Sequence, residues 1–172
     1  YQLYMDSMAL VQTFGKPDVF VTFTADPKWE EITSNLLPGQ FAHERGDLVA
    51  RVFNMKLNAL IDDLTKHHVL GHCIAYTYVV EYQKRNLPHG HILLILDKND
   101  APSSAIDIDK LVCAEIPNID LHPLLHKYVI QKMMHGPCGD LNPNCVCMKD
   151  GECTKHFPKT CYKTTAFTAG TY

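Results

Sequence analysis

No window of this chain approaches the roughly 18 consecutive apolar residues of a membrane-spanning helix, and its first residues lack the charged-then-apolar order of a signal peptide. We therefore expect a soluble chain with no membrane partner and no secretion. A G-x-x-x-x-G-K-[ST] phosphate loop is missing too, so no ATPase activity can be assigned to these residues. Internal repeats and low-complexity tracts are absent. So is any strong net charge: the formal value is −3, which gives no global electrostatic argument for nucleic acid, and a basic surface would have to be local. The mildest such bias is in the tail, where Lys149, Lys155, Lys159 and Lys163 stand against Asp150 and Glu152.

What is present is a chain of 172 residues, 46% hydrophobic and 20% charged. That is enough for one folded domain with a tail. Seven cysteines make an odd number, and Cys138, Cys145, Cys147, Cys153 and Cys161 crowd the last fifth of the chain. Without a secretion signal, this favours metal or free thiols over disulfides. The expected division is a core over 1–136 and a cysteine-rich segment over 137–172.

Periodicity supplies the elements. "MDSMALVQTFG" predicts a short helix capped by Asp6 or Ser7 and stopped by Gly15. "DVFVTFTADP" predicts a strand with Phe20, Thr22 and Thr24 on one face and Val19, Val21 and Phe23 on the other. Asp26 and Pro27 predict a helix starting at once, with Trp29 and Ile32 buried. Asp47 can cap a long helix whose apolar face is Val49, Val52, Phe53, Leu57, Leu60, Ile61 and Leu64, ended by Gly71. "CIAYTYVVEYQ" and "HGHILLIL" then read as a hairpin around the turn "KRNLP". "IDIDKLVCAEIP" fits a short helix or a strand. From Leu121, the residues Leu124, Leu125, Tyr128, Val129 and Lys132 share a helical face closed by Gly136-Pro137. Interspersed helices and an antiparallel pair indicate an α+β fold with a central antiparallel sheet and flanking helices.

In "VEYQKRNLPHGHILLIL", a spacing of two on a strand places His89 and His91 on one face. Glu81 and Gln83 share a parity across the hairpin, and either can be the third ligand. Two imidazoles and an oxygen suit manganese, magnesium with waters, or zinc, with positions left open for a substrate. A hydrolytic zinc enzyme would need further ligands close behind, and Ile92 to Leu96 offers none. The alternative is an ordinary pair of half-exposed strand histidines.

Three stretches in order, "FVTFTADPKWEEI", "VVEYQKRNLPHGHILLIL" and "MMHGPCGDLNPNCVCMKDGECTKHFPK", resemble the amino-terminal helicase-like or Rep region of Helitron transposases, members of the HUH endonuclease superfamily of rolling-circle initiators. The resemblance covers nearly the whole chain. It implies a ferredoxin-like palm, a divalent cation (Mg²⁺ or Mn²⁺) held by His89 and His91 with Glu81 or Gln83, and cleavage of single-stranded DNA by a tyrosine that is left as a 5′ phosphotyrosine. Gly90 departs from the bulkier apolar residue usual between the two histidines. Thr22 and Thr24 on the first strand and Lys84 and Arg85 in the turn are the candidate DNA contacts. Tyr128 and Lys132 fit a Y-x3-K pattern, but the two-tyrosine helix of these enzymes follows the cysteine-rich segment, which puts the nucleophile beyond Tyr172 and makes the chain an incomplete nuclease. A superfamily-1 helicase domain in the full-length protein and a nuclear location follow from the same resemblance. Other readings are a non-catalytic DNA-binding fragment or transposase remnant, and a metal-dependent hydrolase.

In the tail the family pattern matches Cys138, Cys147 and Cys153, leaving His135, Cys145 or His156 to complete a tetrahedral structural zinc site. The alternative is a loop of reduced thiols. Cys73 and Cys113 lie in apolar surroundings and are expected in the core; Cys161 has no assigned role.

Overall fold

Alternating β-branched and aromatic residues make Val19–Thr24 a strand, β1, whose odd-numbered side chains turn inward and even-numbered ones outward. It belongs to the first of two units, Tyr1–Ser103 and Ser104–Tyr172. The computed structural model describes residues 2–82, 87–113 and 115–166.

In the first unit, α1 (Gln2–Phe14) precedes β1, followed by a single-turn α2 (Glu30–Thr33), α3 (Gly46–Thr65), β2 (Cys73–Tyr82) and β3 (Pro88–Leu96). The strands form an antiparallel sheet in the order β1-β3-β2, so β3 is central. Helix α3 buries Val49, Val52, Phe53, Leu57, Ile61 and Leu64 in one cluster with Ile92, Leu94 and Leu96 of β3, as its 3.6-residue apolar repeat predicts. Helix α1 lies on the other face, where Ser7 Oγ is 3.0 Å from Thr77 Oγ1 of β2. Leu93 and Ile95 of β3 line a small gap there with Leu10. Toward its first residues β3 loses this second cover, and His89 and His91 are only half-buried.

Several local expectations are corrected. Helix α1 starts at Gln2, and Asp6 and Ser7 lie inside it, because their side chains bond one turn back, Asp6 to Gln2 Nε2 (2.8 Å) and Ser7 to the Leu3 carbonyl (2.9 Å). Gly15, at φ +100°, does end it. Asp26-Pro27 does not open a helix: the Asp26 carboxylate accepts the Lys28 N–H (2.9 Å) in a local turn. Trp29 stays extended at ψ 139°, its ring stacked on Phe23 at 5.8 Å. Tertiary packing here overrides the cap signal. Arg45, not Asp47, is the N-cap of α3; Asp47 sits in the first turn, bridged to Arg45 by two 2.9 Å bonds. The helix stops at Thr65, and Gly71 serves a later turn at φ +111°.

In the second unit, α4 (Ala105–Leu111) is a helix rather than a strand, capped by Ser104, which accepts the Asp107 N–H. α5 (Pro123–Tyr128) runs into a π-helical turn over Val129–Met133. A short hairpin pairs β4 (Met148–Lys149) with β5 (Glu152–Cys153). The division at Ser103/Ser104 thus groups α4 and α5 with the cysteine-rich segment, whereas the sequence places the cut after residue 136. Cys113, expected in the core, is exposed because neither α4 nor the chain after it is buried; Cys73 is half-buried. No membrane-length apolar helix occurs among the described residues.

Candidate functional site

Strand register determines what meets on the uncovered half of the sheet. His89 pairs with Glu81 on one side and Thr24 on the other, and His91 pairs with Val79 and Thr22. Because side chains alternate across the sheet, Glu81, His89, His91, Thr22 and Thr24 share one face. Donor atoms of Glu81, His89 and His91 all lie within 4.8 Å of one another. Glu81 Oε1 is 3.1 Å from His91 Nε2, with the two side chains 56% and 29% exposed. The imidazoles meet edge to face at 4.5 Å between centroids. Two nitrogens and a carboxylate oxygen therefore converge where solvent and a ligand can reach them.

Two neighbours orient these rings. Thr24 Oγ1 is 2.5 Å from His89 Nδ1, so this threonine is engaged with a histidine. Phe20 lies against His91, with centroids 5.6 Å apart and planes 2° apart. The alternation of β1 placed Phe20, Thr22 and Thr24 on this face, but nothing in the sequence identified Phe20 as the backing of His91. Thr22 is exposed beside His91. Gln83, Lys84 and Arg85 lie outside the described residues. Gly90 points to the opposite, core face, where an added Cβ would meet Leu57 Cδ1 at 3.5 Å and Phe53 Cζ at 3.6 Å.

The second unit carries a separate cluster. His135 Nε2 lies 3.5 Å from Cys138 Sγ, 3.5 Å from Cys147 Sγ and 3.6 Å from Cys153 Sγ. Tetrahedral ligation with Zn–S about 2.3 Å and Zn–N about 2.0 Å puts nitrogen and sulfur about 3.5 Å apart. The four donors thus fit a tetrahedral metal site, and three thiols with one imidazole are a zinc-type set. Of the three candidates for the fourth position, His135 is the one brought in, and His156 is not part of the set. Cys145 stands beside it, its Sγ 3.5 Å from that of Cys147.

The local fold explains the convergence. Left-handed Asp150 and Gly151 turn the hairpin, which pairs Cys153 with Met148 and brings the Cys147 and Cys153 thiols together at its base. Thr154 N–H and Oγ1 both donate to the Cys147 carbonyl, at 2.8 and 2.9 Å. The His135 ring stacks on Phe157 at 4.0 Å. Burial, and then the neighbouring thiols, push the Cys147 thiol up to about 12. The backbone N–H of Phe157, then that of Lys155, draw Cys153 down to about 6 against the effect of burial. Tyr128 is 53% exposed at the last residue of α5.

None of the curated proteins compared with the chain matches it. The family model described as the Helitron helicase-like domain at the N-terminus matches residues 1–94, a span that contains β1, β2 and both histidines of β3. This is more than half of the 172 residues, and the chain belongs to the Helitron helicase-like N-terminal domain family.

Proposed function

We propose that this chain is the metal-binding part of a Helitron-type rolling-circle transposase, an HUH-type nickase that cleaves and rejoins single-stranded DNA through a phosphotyrosine. One observation carries this: Glu81, His89 and His91 converge within 4.8 Å at the open end of the sheet, in a member of the Helitron family. The sheet and α3 are then the palm of the HUH/Rep fold. Its ligands are neutral imidazole nitrogens of His89 and His91 and a carboxylate oxygen of Glu81, directed to Mg²⁺ or Mn²⁺. Donors at right angles about an octahedral ion at about 2.1 Å stand about 3.0 Å apart, and His91 Nε2 and Glu81 Oε1 are 3.1 Å apart.

The bound ion supplies Lewis-acid polarisation of the scissile phosphate. Everything else falls to the chain. Thr24 Oγ1 holds His89 Nδ1 at 2.5 Å, which orients the ring and leaves Nε2 to serve as the lone-pair donor. Phe20 limits rotation of His91. The attacking hydroxyl comes from a tyrosine C-terminal to residue 172: its oxygen bonds to phosphorus, and the 3′ oxygen leaves and gains a proton. The covalent link conserves the phosphoester for rejoining. Tyr128 remains a helix-face residue. The cysteine cluster holds a structural zinc, and the full-length protein acts in the nucleus with a superfamily-1 helicase domain.

The test is a fluorescence-anisotropy titration of single-stranded DNA with Mn²⁺ or chelator, followed by denaturing electrophoresis. Expected are Mn²⁺-dependent binding, its loss in His91→Ala, and no covalent adduct. Binding that ignores both Mn²⁺ and His91→Ala sinks the proposal. An adduct abolished by Tyr128→Phe moves the nucleophile into this chain.

A further inference from the structure

Beside the histidines, on the same face, a cavity of about 490 Å³ opens between α1 and the sheet, within the roughly 300–1,000 Å³ range of small-ligand sites. Its walls include Tyr4 of α1, Phe20 of β1 and His91 itself, with Val79 of β2 on the same face of the sheet. The rings are accessible rather than packed away: Tyr4 is 62% exposed and Phe20 59%. The single charged wall residue is Asp6, whose Oδ1 accepts Gln2 Nε2 at 2.8 Å.

Building on the single-stranded-DNA function above, we propose that this cavity receives one unstacked nucleobase of the bound strand, next to the phosphate that meets Glu81, His89 and His91. Three observations select a base over other occupants. His91 belongs to both the donor cluster and the cavity wall, so a nucleotide whose phosphate reaches the cluster has its own or its neighbour's base at the cavity mouth. The lining is aromatic and apolar, which suits the π-face of a base. Its charge is negative, so a carboxylate repels a phosphate but accepts a hydrogen bond from an exocyclic amino group. Asp6 is placed to do this, and the pairing of acidic side chains with cytosine N4 follows the same chemistry. The cavity therefore prefers cytosine to thymine, which carries no exocyclic amine.

The test compares oligo-dC, oligo-dT and an abasic backbone of equal length, about a dozen nucleotides, binding to the full chain with Mn²⁺ present. Wild type should bind oligo-dC roughly five- to hundredfold more tightly than the abasic strand, the span expected for stacking of one base. Ser7→Trp, which fills the cavity from α1, should bring oligo-dC to the abasic level with Mn²⁺ affinity unchanged. Tyr4→Ala, at an exposed position that cannot unfold the chain, should weaken oligo-dC alone. Asp6→Asn should shrink the preference for oligo-dC over oligo-dT. Equal binding of all three strands with Mn²⁺ dependence retained, or oligo-dC binding untouched by both Ser7→Trp and Tyr4→Ala, overturns the base pocket and leaves the nickase proposal standing. Failure of every strand to bind, or binding indifferent to Mn²⁺, overturns both.

Discussion

Removing metal from the cysteine cluster should unfold the segment around it and leave the first unit intact. Among the described residues, the buried apolar side chains of the second unit are those of Cys147 and Cys153, and α4 and α5 bury none. Ordering the stretch from His135 to Cys153 costs on the order of 20 kcal/mol in backbone entropy. Burying the two thiols offsets about 5 kcal/mol at most. The turn and hairpin bonds, such as Asn142 N–H to Gly139, Met148 N–H to Cys145 and Thr154 N–H to Cys147, add about 1 kcal/mol each. About 10 kcal/mol is left over, close to the roughly 10–16 kcal/mol with which zinc stabilises small zinc-binding domains. Hydrogen exchange read by mass spectrometry, before and after a zinc chelator, checks this directly. Protection should vanish from Gly139 to His156 and persist in α3 and β3. His135→Ala should weaken zinc by more than about a hundredfold, the upper range for losing a mere outer-shell partner; Cys145→Ser should leave the stoichiometry unchanged. Because thiols must lose protons to ligate, zinc affinity should fall as pH falls. Protection that survives chelation would show that the segment folds without the metal, and a Cys145→Ser effect equal to that of Cys153→Ser would show that Cys145 is a ligand.

Three further outcomes follow from local geometry. Thr24→Val removes the hydroxyl that orients His89 and should weaken Mn²⁺ about tenfold with thermal stability unchanged; equal Mn²⁺ affinity in a calorimetric titration would remove Thr24 from the site. Gly90→Ala meets only ordinary contacts at 3.5 Å and beyond and should stabilise by about 0.5 kcal/mol in urea unfolding, while Gly90→Leu should cost about 1–3 kcal/mol by overpacking against Phe53 and Leu57. Gly71→Ala should cost about 2 kcal/mol or more, because φ is +111° and the new Cβ would sit 2.9 Å from Asp100 Cβ, whose carboxylate accepts the His72 N–H at 2.7 Å. A neutral Gly71→Ala would show that this turn relaxes.

Long periodic segments were legible, and short ones governed by tertiary contacts were not. The apolar stripe of α3 and the alternation of β1, β2 and β3 are visible because each repeats over several residues and has one face to bury. Asp26-Pro27 is a strong helix-start signal that lost to the packing of Trp29 on Phe23. Parity alone put His89 and His91 together, and near-symmetric hairpin pairing put Glu81 opposite His89. Which of His135, Cys145 and His156 joins the three cysteines could not be read from spacing. It depends on left-handed turns at Gly139, Asp150 and Gly151 and on the stacking of His135 against Phe157. The unit boundary was hidden for a similar reason: the cysteine-rich composition starts near residue 138, whereas α4 and α5 bury nothing and group with that segment.

The strand histidines and Glu81 are proposed to hold a divalent cation for a phosphate. Pulsed electron paramagnetic resonance of Mn²⁺ added to the zinc-loaded chain tests it most directly. Bound Mn²⁺ should show couplings to imidazole nitrogen that weaken in His89→Ala and in His91→Ala, vanish in the double variant, and are unaffected by Cys147→Ser. Mn²⁺ that stays fully hydrated, or nitrogen couplings that persist in the double variant, would contradict it.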